Sequence, residues 1–168
     1  MSYNECMLFV SITRLRIRSI RFMPLFVPHT LRSLRQAQHA HGFKGGALLA
    51  DRHWTFWTMT AWDSHESMRQ YMITGSHKTA MPHLLTWCDE ASVVHWTQAE
   101  EDLPTWPVAD KRMREEGRIS KVKYPSPDHA SLGYEPPRLT RGGPIKPARR
   151  PGDFAQKPGD STPKSTSK

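Results

Sequence analysis

The chain has 168 residues and a formal net charge of +8, with 37% hydrophobic and 24% charged residues. That is enough for one domain with a true core. It excludes a transmembrane protein, because no stretch approaches the ~20 apolar residues of a span. The two cysteines, Cys6 and Cys88, exclude a disulfide-framed secreted fold and lie in no metal-ligand spacing.

The apolar residues are unevenly spread. Five of the six tryptophans precede residue 97, whereas eleven of the fourteen prolines follow residue 103. The expected division is a compact domain over residues 1–98, a helix and extended arm over 99–136, and a basic, Pro-rich, disordered tail over 137–168. That tail carries eight Lys/Arg against two Asp/Glu, so most of the net charge sits on it. Charge on a flexible tail gives weak, non-specific contact with nucleic acid and no recognition. With neither a membrane span nor a secretory h-region, the cytoplasm is the expected location.

Strand one is expected over residues 8–17. Phe9, Ser11, Thr13, Leu15 and Ile17 alternate with Val10, Ile12, Arg14 and Arg16. Residues 23–41 read as a helix with Leu31, Leu34, Ala37 and Gln38 inward, ended by Gly42. Residues 45–50 form a short strand, and a turn at Asp51-Arg52 leads into strand three. That strand is aromatic and Thr-rich: Trp54, Phe56, Thr58, Thr60 and Trp62 share one face; His53, Thr55, Trp57, Met59 and Ala61 share the other. Ser64 is placed to cap a helix carrying Met68, Tyr71 and Met72, which breaks at Thr74-Gly75. A second short helix is expected over residues 81–87, strand four over 91–97, and a further helix over 102–118 anchored by Trp106.

The order β-α-β-β-α-β is the split βαβ pattern of an α+β, ferredoxin-like fold: a four-stranded antiparallel sheet with helices on one face. Both faces of strand three carry large apolar groups, and those helices cover only one. The expectation is a homodimer in which two copies bury the remaining face.

The element order, the stretch TMTAWDSHESMRQYM and the following TGSHKTAM resemble the dimeric α+β barrel superfamily. Within it the chain is similar to antibiotic-biosynthesis-monooxygenase-like proteins. The segment around Gly75-Ser76-His77 is similar to spheroidene-monooxygenase-like proteins. The resemblance spans about residues 7–97 and is most specific from Thr60 to Met68. Haem-degrading members carry an Asn, a Trp and a His where this chain has Thr13, Tyr71 and Met81, so their activity is not implied.

The resemblance implies a monooxygenase-like oxidoreductase acting on a small apolar or aromatic substrate, either cofactor-free or haem-dependent. The alternative is a non-catalytic dimer that binds a small molecule or haem. In cofactor-free members the substrate itself supplies the electrons, so the protein need only position it, desolvate it and stabilise an anion. The candidate catalytic residues are His77 and Tyr71, with His77 also the candidate haem ligand. Arg14 and Arg16 are candidates for anion binding, Trp57 and Trp62 for stacking, and Thr58 and Thr60 for hydrogen bonds. His53, His83 and His95 are further candidates, in no metal-site spacing.

Overall fold

The computed structural model describes residues 7–148. Strand β1 (Leu8–Ile17) passes through a short 3₁₀ turn into helix α1 (Met23–His39). Strands β2 (Phe43–Asp51) and β3 (Thr55–Trp62) form a hairpin; helices α2 (His65–Met72) and α3 (Gly75–Trp87) follow, and strand β4 (Cys88–Gln98) returns to the sheet. Helix α4 (Trp106–Glu116) and the short strands β5 (Arg118–Ile119) and β6 (Gly142–Ile145) complete the chain.

The sheet is antiparallel, in the order β5-β4-β1-β3-β2-β6. Its inner four strands keep the ferredoxin-like order. The sheet has six strands rather than the four expected: β5 adds an edge beside β4 at Ser92 and Val93, and the segment read as a disordered tail supplies the other edge, β6 pairing with β2 from Gly46 to Leu49. Ile145 is buried with Phe43 and Trp62, which holds β6 in place. The rest of the basic tail, 149–168, lies outside the described residues.

Local signals explain most boundaries. Ser64 caps α2, its hydroxyl accepting from the Ser67 amide at 3.2 Å. Gly42 ends the α1 connection at φ +77, and a Cβ there would collide with the Asp63 carboxylate. The turn between β2 and β3 sits two residues later than expected. His53 and Trp54 both adopt positive φ, and the Thr55 amide closes the turn on the Arg52 carbonyl at 3.1 Å. Trp54 is consequently exposed and not part of the strand. Helix α3 starts at Gly75, not near Met81, so Pro82 lies inside it. Pro82 leaves the carbonyl of Lys78 without its usual helical donor.

The chain covers both sheet faces by itself. Helices α1 to α3 cover one, in two apolar clusters. Phe9, Ala37, Phe43, Trp62 and Met68 form the first; Ile17, Phe26, Trp87 and Cys88 form the second. On the other face Val10, Ile12, Trp57, Met59 and Val94 pack against Ala109 and Met113 of α4, with Leu103, Trp106 and Tyr134 alongside. The uncovered face on which the homodimer expectation rested is therefore occupied by the chain's own C-terminal segment. Pairing two copies through it requires α4 to leave. Among the described residues no helix is long and apolar enough to cross a membrane.

Met113 is fully buried at the centre of this cover. Met113→Ala should cost about 2–5 kcal/mol, measured as a lower urea midpoint at unchanged slope. Truncation after Gln98 should bare the face and produce concentration-dependent association in sedimentation. A truncated chain that stays monomeric and fully stable would show that α4 is not the cover.

Candidate functional site

Strand register lines up polar side chains on the helix-covered face. Ser11 stands between Thr60 and His95, and Thr13 between Thr58 and Val93. Cross-strand partners share a face. Phe9 and Trp62 at one end of these strands belong to the first helix-side cluster, Leu15 and Phe56 at the other end to the second. The hydroxyl band therefore lies between the two apolar clusters, beneath the helices.

Strands β1 and β3 are flanked on both sides, yet Thr13 and Thr58 remain half-buried, as do Val93 and His95. A sealed layer would bury them all. Hydroxyls lying between two apolar clusters and partly open to solvent would form the floor of a shallow trough suited to a flat ligand with a few polar atoms.

Helices α2 and α3 hold the other sequence candidates beside the first cluster. In α3 the least exposed positions are Ser76, His77, Ala80, Leu84 and Trp87; all but Ser76 form one inward stripe. Gln36 of α1 clamps the α2–α3 junction. Its amide donates to the carbonyls of Tyr71 at 3.1 Å and Thr74 at 3.0 Å, and its Oε1 accepts from the His77 amide at 2.9 Å. Gly75, at φ +55, lies so close that a Cβ would meet Gln36 Oε1 at 2.8 Å.

Tyr71 lies between two rings, Trp62 at 5.2 Å and His77 at 4.6 Å. Its hydroxyl donates to the Ser33 carbonyl at 3.2 Å. Burial pushes the phenol pKa up, so Tyr71 stays protonated and its proton is already engaged. His77 Nδ1 lies 3.3 Å from the Met72 carbonyl. A carbonyl only accepts, so that contact puts the proton on Nδ1 and leaves Nε2 with its lone pair. Burial lowers the His77 pKa, partly opposed by this hydrogen bond.

His95 lies on the band itself, beside Ser11, with Phe9 at 5.6 Å. Among the described residues its Nε2 is buried without a hydrogen-bond partner, as is Nε1 of Trp62. Burial is the main cause lowering its pKa, followed by the positive charge of Arg118 and by His65. Both imidazoles are thus held neutral and able to accept a proton. Sequence alone gave His95 no precedence over His53 or His83. His53 lies in the β2–β3 turn, and exposed His83 stacks on Trp87 at 4.9 Å. The signal for the band was present as Ser11 and Thr13, two small hydroxyls on the inward face of an otherwise apolar strand.

Arg14, Arg16 and Trp57 do not join this site. Strand alternation puts them on the α4 face, opposite Thr58, Thr60, Trp62, Tyr71 and His77. Arg14 is 6% exposed and bonded to Glu90 at 2.6 Å. Arg16 grips Asp89 through two bonds of 2.9 Å and reaches Glu90 at 2.8 Å. Ser126 of the arm donates to Glu90 at 2.7 Å. These guanidiniums serve the protein's own carboxylates and are not free for a substrate anion. Trp57 is fully buried, with Tyr134 at 5.6 Å and Trp106 at 6.5 Å. The hollow beneath Tyr134, bordered by Arg14, Ser92 and His129, is too narrow for a water molecule.

One flank of the His77 ring is filled by Tyr71 at 4.6 Å, and neither the hollow beneath Tyr134 nor a surface cleft of about 210 Å³ near Arg141 includes His77. Among the described residues no group of three or more His, Cys, Asp or Glu is placed to hold a metal ion. Cys88 is buried, its thiol pushed up to about 12 by burial and by Asp89, which makes it a poor nucleophile.

No protein-family model matches the chain, and no curated protein matches it at a significant level. The solved structures similar to it include proteins described as antibiotic biosynthesis monooxygenases. One such protein, provisionally so described, from Nitrosomonas europaea is 14% identical, with 58% of this chain and 95% of that chain covered and a TM-score of 0.47. Another Nitrosomonas europaea protein, of unknown function, is 12% identical, with 61% and 99% covered and a TM-score of 0.49. A variant of SnoaB, a cofactor-independent oxygenase from Streptomyces nogalater, is 14% identical, with 58% and 98% covered and a TM-score of 0.43. Likeness of this order assigns no chemistry to this chain.

The two polar regions give separate tests. Glu90→Ala should destabilise the fold by about 3–5 kcal/mol, because it leaves a buried arginine without its charge partner; an unchanged urea midpoint would free Arg14 for another role. For His77 the folded pKa lies below the ordinary 6.5. Above that value both folded and unfolded states carry neutral imidazole. Below it the unfolded chain takes up the proton first, so stability falls until the lower folded pKa is passed. His77→Gln should shrink the loss of stability between about pH 7 and about pH 5, measured by urea midpoints; a loss of unchanged size would remove His77 as its cause.

Proposed function

We propose that the chain is a cofactor-free, monooxygenase-like oxidoreductase that binds a small aromatic molecule in the trough between sheet and helices. The observation that carries this reading is the band of Ser11, Thr13, Thr58 and Thr60 with His95 on the inner strands, in which Thr13, Thr58 and His95 stay half-buried while Ser11 and Thr60 are buried. A floor of that kind costs core stability and suits a ligand that brings an aromatic body and a few polar atoms.

The chemistry asks little of the protein. An electron-rich substrate can reduce dioxygen itself once it becomes an anion. The chain's part is to orient the ring, take the proton and exclude water. His95 is the favoured base, because it lies on the band and its Nε2 has no partner among the described residues. The hydroxyls orient the substrate oxygen. His77 and Tyr71, packed against each other and bonded to backbone, shape the wall beside them.

The purified protein is expected to show no Soret band, to quench its tryptophan fluorescence with a bicyclic phenol, and to consume dioxygen when that phenol is added. His95→Gln should lower dioxygen uptake by about 10²–10⁴-fold with little change in binding, the scale of a lost general base. A Soret band would overturn the cofactor-free reading. Binding without dioxygen uptake across a panel of phenols would favour a non-catalytic small-molecule binder.

A further inference from the structure

The polar band does not stop at β4. Strand β5 continues the row, placing Arg118 opposite Val93, on the face that Val93 shares with Thr13 and Thr58. Unlike Arg14 and Arg16, Arg118 forms no ion pair or side-chain hydrogen bond among the described residues. It is exposed at the sheet edge. Of its acidic neighbours in sequence, Glu116 is already taken by Arg112 at 2.6 Å. Its charge still reaches inward far enough to help hold His95 neutral.

We propose that the trough takes an anionic aromatic molecule, with the acidic group held by Arg118 at the open end and the ring lying over the hydroxyl band. This rests on the trough being the binding site. From Thr13 on β1 to Arg118 on β5 is two strand spacings, about 10 Å. That separation matches a bicyclic ring bearing a hydroxyl at one end and a carboxylate at the other. The cation comes from the C-terminal segment, so the segment that covers the far sheet face also completes the mouth of the near one.

The test compares 6-hydroxy-2-naphthoate with 2-naphthol, titrated into the full chain and followed by tryptophan fluorescence. The carboxylate should bind about two- to fivefold more tightly at low salt, the size of one exposed ion pair, and the preference should fade at high salt. Arg118→Gln should make the two probes equal while leaving naphthol affinity unchanged, and Arg118→Lys should restore part of the difference. The surface cleft of about 210 Å³ at Arg52, Arg138 and Arg141 is the competing anion site. A preference that survives Arg118→Gln and disappears in Arg141→Gln would overturn the proposal in favour of that cleft. No preference in the unaltered chain, with naphthol still bound, would overturn it outright. If neither probe binds the unaltered chain, the trough itself is not the site.

Discussion

Strand β3 carries tryptophan on both of its faces, Trp57 on one and Trp62 on the other, and each is fully buried. A single layer of helices cannot achieve that. The solution here is a second cover made by α4, whose Ala109 and Met113 are completely excluded from solvent against Val10, Ile12 and Met59. At about 25 cal/mol per Å² of apolar surface, such burial is the main force holding the C-terminal segment to the sheet. Much else depends on it: the buried Arg14 beneath the arm and the placement of Arg118 at the sheet edge.

The two faces have consequently taken different chemistries. On the α4 face charge is neutralised internally. Glu90 is 3% exposed and receives Arg14, Arg16 and Ser126 together, while Tyr134 lies under the Arg14 guanidinium at 4.0 Å and against Arg114 at 4.3 Å. Buried ions so paired add specificity of register more than net stability. They also tie residue 126 of the arm to β4, so the arm docks in one position. On the helix face the central rows carry four hydroxyls and an imidazole beside Val93 and Leu48, and among the described residues the His95 Nε2 has no hydrogen-bond partner. A surface that needed only to pack would carry valine and isoleucine there.

Gln36 explains how that second face stays partly open. It bonds three backbone groups at the junction of α2 and α3 and thereby fixes the axis of α3 relative to α1. The helices are pinned at that end by Trp62, Tyr71 and Met68, and at the other by Phe26 and Trp87. Between these anchors the less exposed positions of α1 and α3 include the small residues Ser33 and Ala80, which bring less side-chain volume than the aromatic residues at the ends.

Much of the framework was legible in the residues. Alternation fixed both faces of β1 and β3, Ser64 marked the start of α2, and Gly42 the end of the α1 connection, because period, capping and positive φ are properties of a few neighbouring residues. The site was only half legible. Thr58, Thr60 and Trp62 could be assigned to one face, but Arg14 and Trp57 looked equally available until their neighbours were known. What only the tertiary structure decided is which face each element covers. The pairing of Arg14 with Glu90 spans 76 positions, and the union of Thr60, Ser11 and His95 depends on the register of three strands. Such contacts are set by how the whole chain closes on itself, and in particular by a C-terminal helix whose anchor, Trp106, was legible while the face it covers was not.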